Sequence, residues 1–175
     1  AMLHLVLLYS LLAALYVLAL QLAALIESLG PSGFGALLAM SGVGMAIGAV
    51  VIAQAGHRFS RRILSATGLG TITWTLVLLS QLRGSLVFTL SLCGILGVGA
   101  ALVAIPAQTT IQEETPESER GRVFGLQNNL INIALSLPLV LAGTLVSSIG
   151  LQPVLLLLAG LALTAALIER PWQRC

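Results

Sequence analysis

Asn128, Asn132 and Ser136 recur every four residues within the stretch 123–168, which carries no charged side chain. Positions four apart lie on one face of a helix, so these three make a polar stripe, with Gln127 and Asn129 beside its first turn. A carboxamide in an apolar setting costs free energy unless it is paired or faces water. Two uses follow. The stripe can offer neutral hydrogen bonds to a polar molecule along a water-filled wall. It can also bond neighbouring helices together, at about 0.6 kcal/mol per bond. Tyr9 and Tyr16, seven apart on one face, could stack on an amphipathic or aromatic molecule, and Gln21 lies further along the same segment. Ordinary packing competes with that role for all three, as does interface anchoring for Tyr9.

Other reactive residue types are sparse. His4 and His57 are the only imidazoles, they lie far apart, and neither pairs with a carboxylate at metal-ligand spacing. A solvated loop histidine is the plainer reading of His57. Cys93 falls inside an apolar stretch and Cys175 is the last residue, a pattern that suggests neither a disulfide nor a metal site. The chain is therefore expected to be no enzyme and to need no metal or cofactor.

The elements that must position these residues are marked by where charge is missing. The fourteen charged residues are all Arg or Glu, and they leave charge-free runs at 1–26, 28–57, 63–82, 84–112 and 123–168. About 20 apolar residues cross the hydrocarbon core as a helix. The last run is too long for one crossing and is punctuated by Ser147-Ser148-Ile149-Gly150 and Pro153. The expected fold is all-α: a single six-helix transmembrane domain over 1–175, with helices at about 2–26, 34–55, 63–82, 86–112, 121–147 and 152–168. With 58% apolar residues, too little polar surface remains for a water-soluble domain. The first segment lacks a basic leader and a small-residue cleavage site, so it reads as a span. A net charge of +2 gives nucleic acid no footing.

Seven arginines (58, 61, 62, 120, 122, 170 and 174) fall on one side of this topology and only Arg83 on the other. The positive-inside rule then places both termini and the loop with Arg58, Arg61 and Arg62 in the cytoplasm. The expected location is a cell membrane, such as a bacterial inner membrane, crossed several times. Pro106 and Pro138 fall inside predicted helices, where a missing N–H frees a carbonyl and favours a kink. Thr115-Pro116 reads as a helix start, with Thr capping and Pro in the first turn. Thr67, Thr71 and Thr75 form a stripe suited to packing. Gly42, Gly44 and Gly48, and again Gly94, Gly97 and Gly99, would let helix backbones approach closely.

Two loops carry a resemblance. Gln54 to Arg62, QAGHRFSRR, resembles the signature loop of the major facilitator superfamily, matching it at Arg58, Arg61 and Arg62. Ala53, His57 and Ser60 stand where that pattern has Gly, Asp and Gly. The stretch from Pro106 to Gly125 is similar to the loop between helices ten and eleven of the drug:proton antiporter group, which includes macrolide-efflux and enterobactin-export proteins. The match rests on Gln112, Pro116, Arg120, Gly121, Arg122, Val123, Phe124 and Gly125, and continues through Pro138 and Leu141-Ala142-Gly143.

The resemblance covers nearly the whole chain, as helices seven to twelve of a twelve-helix protein. It implies two inverted three-helix repeats and a path lined by the first, second, fourth and fifth helices. It also implies alternating access, a small amphipathic substrate moved outward by a proton-coupled exporter, and a separate N-terminal six-helix half as partner within the bilayer. No Asp, Glu or Arg falls in the core of a predicted span, so a proton-carrying carboxylate would lie on that other half. Two further readings remain open at this point: a non-transporting membrane subunit or assembly factor, and the membrane-spanning subunit of an ATP-driven transporter. The short loops disfavour the latter.

Overall fold

The computed structural model describes residues 6–15, 33–81 and 85–168, all of which form helices or the short turns between them. Tyr16, Gln21, His4, Arg83, Cys175 and the side chain of His57 lie outside the described set. The helices are α1 (Val6–Leu15), α2 (Phe34–Ala55), α3 (Arg61–Gln81), α4 (Leu86–Glu114), α5 (Arg120–Ile149) and α6 (Leu151–Ile168). Two 3-10 turns, Gly56–Arg58 and Glu117–Glu119, sit at the end of α2 and before α5. Among the described residues, α2 to α5 are long and apolar enough to cross a membrane, and the described parts of α1 and α6 are apolar over shorter lengths. At 1.5 Å per residue, the 22 residues of α2 span about 33 Å, close to a bilayer's hydrocarbon thickness. Helices suit that setting because each satisfies its own backbone polar groups.

Three local details depart from expectation. The segment 147–153 is helical except at one residue. Ser147 and Ser148 donate to the Thr144 and Leu145 carbonyls at 2.8 and 3.0 Å, so their hydroxyls are satisfied inside α5. The break is Gly150 alone, at φ 86°, ψ 171°. Only glycine occupies that region readily, and a side chain there costs about 1–3 kcal/mol. Pro153 falls in the first turn of α6, where a missing N–H is harmless. Thr115 does not cap a following helix. It closes α4, its hydroxyl donating to the Ile111 carbonyl at 2.5 Å, and Pro116 opens the 3-10 turn. Finally, α3 begins at Arg61 rather than 63, because a long cationic side chain can reach beyond the helix end, here to Glu113 of α4, while its Cα stays in the first turn.

The core is built around α3, α4 and α6 with α1 laid into it. Leu8, Leu11 and Ala14 of α1 join Leu69, Ile72 and Leu76 of α3, Leu92, Leu96 and Ala100 of α4, and Leu155, Leu158 and Ala162 of α6. Thr75 is fully buried among them, yet its hydroxyl is satisfied by the Thr71 carbonyl at 2.7 Å. Thr67 and Thr71 likewise bond back within α3, at 2.9 and 2.8 Å.

Backbones touch where α2 meets α4. A Cβ at Gly97 would overlap the Ser41 carbonyl and sit 2.9 Å from the Met45 nitrogen. One at Gly44 would overlap the Gly94 carbonyl, and one at Gly48 would come within 2.7 Å of the Ala101 methyl. The α3–α4 contact uses Gly68, where a Cβ would lie 2.8 Å from the Gly99 carbonyl. Gly42 differs from its neighbours: nothing lies within 4 Å of a Cβ placed there.

Candidate functional site

The inward line of α5 runs through Gln127, Ala134 and Ala142, all buried. One residue further along turns 100° around the helix. Counted from Gln127 in this way, Asn128, Asn132 and Ser136 lie about 100°, 140° and 180° around the helix, and all three are exposed. One residue back, on the opposite flank, stand Leu126, Ile133 and Leu141, at 54%, 56% and 56% exposed. The helix therefore carries an apolar flank suited to lipid and a polar flank that is not. Among the described residues, no side chain bonds the carboxamide of Asn128 or Asn132. The Ser136 hydroxyl donates to the Asn132 backbone carbonyl at 2.7 Å. Of the most apolar 18 residues of α5, 12% are buried, against 44% in α4, so α5 is peripheral among the described helices.

Gln127 is the polar residue that packs inward. It is buried, and its Nε2 donates to Gln108 Oε1 at 2.7 Å, tying α5 to α4. Its own Oε1 has no hydrogen-bond partner among the described residues. Gln108 carries no signal in the sequence, since its pairing depends on how α4 and α5 cross. Tyr9 is half-buried and packs with Val123 and Phe124 against Ala107 and Ile111. That places Tyr9 in a seam between α1, α4 and α5. An apolar cavity of about 210 Å³ opens between α1, α5 and α6, lined by Leu11, Ala14, Pro138, Ala142, Leu158 and Leu161 among others. Its walls offer dispersion contacts and almost no hydrogen bonding. Pro106 is buried within α4, and Thr109 and Thr110, a turn later, bond back to the Ile105 and Pro106 carbonyls at 2.9 and 2.8 Å.

Charged groups gather at the helix ends. Arg61, opening α3, pairs with Glu113 near the end of α4 and donates to Thr110 Oγ1 at 3.2 Å. Both ionic partners are about half exposed, so the pair is worth at most about 1 kcal/mol. Arg58 and Arg62 are exposed and have no hydrogen-bonding or ionic partner among the described residues. Arg120 meets Glu117 at 3.6 Å, while Gln112, Pro116, Gly121 and Arg122 are exposed around the same turn. Among the described residues no three His, Cys, Asp or Glu side chains come together as a metal site.

Apolar helices of spanning length, with the charged side chains of the described residues confined to the helix ends, are the architecture of a polytopic membrane protein. The chain belongs to the Major Facilitator Superfamily, whose family model matches residues 2–171. The bundle is a partial helical bundle of that fold, and the superfamily's function is membrane transport. No curated protein matches the chain.

Proposed function

We propose that this chain forms helices seven to twelve, the C-terminal half, of a proton-coupled exporter of small amphipathic molecules, close to the drug:proton antiporter group. The observation that carries this reading is the asymmetry of α5. Its polar flank of Asn128, Asn132 and Ser136 is exposed beside an equally exposed apolar flank. In a bilayer the apolar flank meets lipid. The polar flank needs water, substrate or another helix surface, which an opposing six-helix half would supply across a central path. Neutral carboxamides suit a substrate whose polar group donates or accepts hydrogen bonds, and the apolar surroundings suit the rest of an amphipathic molecule. The loop resemblance at Arg58, Arg61 and Arg62, and at Gln112 to Arg122, supports the assignment to the second half. The arginine distribution supports termini in the cytoplasm and a cell-membrane location.

Coupling follows from the charges. Within the described spans, carboxylates and arginines occur only at the helix ends. A proton-carrying carboxylate therefore belongs to the other half. Vesicles containing residues 1–175 alone should show no transport driven by a pH gradient. Vesicles holding this chain with a six-helix N-terminal half should show it. Gradient-driven transport by the chain alone would overturn the half-transporter reading.

A further inference from the structure

We propose that the arginine-bearing end of α3 is a binding surface for an anionic phospholipid, with the headgroup held by Arg58 and Arg62 and an acyl chain lying along α3. The inference rests only on the chain's residence in a bilayer, not on its substrate or coupling. Three observations converge on this surface.

The first is uncommitted charge. Of the three arginines in this loop, Arg61 is engaged by Glu113 and Thr110, whereas Arg58 and Arg62 are exposed without partners among the described residues. Each guanidinium presents several N–H donors in a plane, the geometry that matches phosphate oxygens. The second is apolar surface at the same place. Phe59 and Ile63, interleaved with the arginines, are 52% and 49% exposed. A cation pair beside an exposed aromatic ring is the composition of a membrane interface, where the ring enters the headgroup layer and the cations face phosphate.

The third is the track leading away from it. Ile63, Thr67, Gly70 and Trp74 follow the i, i+4, i+7, i+11 spacing of one helix face, and all four are exposed. Nothing lies within 4 Å of a Cβ placed at Gly70, so the face dips there between Ile63 and Trp74. The Thr67 hydroxyl is turned back to the Leu64 carbonyl at 2.9 Å, leaving its methyl for the surface. From Arg62 to Trp74 the helix rises about 18 Å. Half of the bilayer's hydrocarbon thickness is about 15 Å. A lipid whose phosphate meets the arginines therefore lays its chain over Gly70 and ends near Trp74. The two positive charges select an anionic headgroup over a zwitterionic one, whose own ammonium they would repel.

Trp74 provides the readout. The full chain carrying Trp172→Phe has Trp74 as its only tryptophan. It is placed in phosphatidylcholine vesicles containing a minor share of either phosphatidylglycerol or phosphatidylcholine with brominated acyl chains, since bromine quenches tryptophan on contact. Brominated phosphatidylglycerol should quench Trp74 well beyond the same share of brominated phosphatidylcholine. That preference should fall about fivefold for each of Arg58→Gln and Arg62→Gln, the value of one cation near an anionic headgroup. Arg122→Gln, which removes an exposed arginine on α5, should leave it unchanged. Equal quenching by the two lipids in the chain with all its arginines would overturn the proposal, because the face would then carry ordinary annular lipid. Absence of quenching by either would overturn it too, showing that a second copy or another polypeptide covers α3. Both of these outcomes are read on the chain with all its arginines and do not depend on how the arginine variants fold.

Discussion

Gly97→Leu is expected to keep α2 from closing on α4. The Cβ alone would overlap the Ser41 carbonyl and approach the Met45 nitrogen, and both are backbone atoms of a helix rather than ends of flexible side chains. Relief requires moving α2 bodily outward. In lipid, helix association rests on close packing because no hydrophobic effect draws the helices together. Even alanine at this position should cost about 1–3 kcal/mol, the usual range for an overpacked site, and leucine should cost more. Gly44→Leu should behave in the same way, since its Cβ meets the Gly94 carbonyl. Gly160→Ala makes the matched control, because nothing lies within 4 Å of a Cβ there. Denaturation of the chain in detergent distinguishes these cases. A Gly97→Leu variant as stable as the control would refute the backbone contact.

Asn132→Leu should impair transport by the proposed two-half exporter while leaving the fold nearly unchanged. Its carboxamide is exposed on the polar flank and has no partner among the described residues, so removing it breaks no bond within the bundle. If the flank lines the substrate path, a hydrogen bond to the moving molecule is lost. Removing such a bond typically costs about 0.5–1.5 kcal/mol, or roughly two- to tenfold in rate. If Asn132 instead bonds a neighbouring helix, leucine should lower stability by about 0.6 kcal/mol and spare export per folded molecule. Asn128→Leu should show the smaller export effect, because it lies one turn nearer the end of α5 that opens at Arg120. The paired measurement is unfolding in detergent and export by the protein reassembled from both halves.

The span pattern was legible in the sequence because a charge in hydrocarbon is so costly that its absence marks a helix. Turn chemistry was legible less well. Ser147, Ser148 and Pro153 look like breakers, but a serine hydroxyl can bond its own helix and proline is tolerated in a first turn, which leaves Gly150 as the single break. Gly42 and Gly44 look alike in the sequence, yet only Gly44 faces α4, since two residues turn about 200°. The spacing of Asn128, Asn132 and Ser136 revealed a stripe but not its direction, which depends on Gln127, Ala134 and Ala142 being the buried line. Gln127 read as a companion of that stripe and instead pairs inward with Gln108. Arg61 with Glu113 and Gln108 with Gln127 join residues 52 and 19 positions apart. Such pairs are set by how helices cross, which no local pattern encodes.

The polar flank of α5 as the wall of a water-filled path is the central claim, and thiol accessibility tests it most directly. In the proposed two-half protein lacking Cys93 and Cys175, a cysteine at Asn132 should react with a small, water-soluble thiol reagent, because alkylation needs a thiolate and hence water. A cysteine at Leu163, exposed on α6 and facing lipid in this account, should not. Reaction at 132 with silence at 163 is the predicted result. An unreactive cysteine at 132 in a folded, transporting protein would contradict the account.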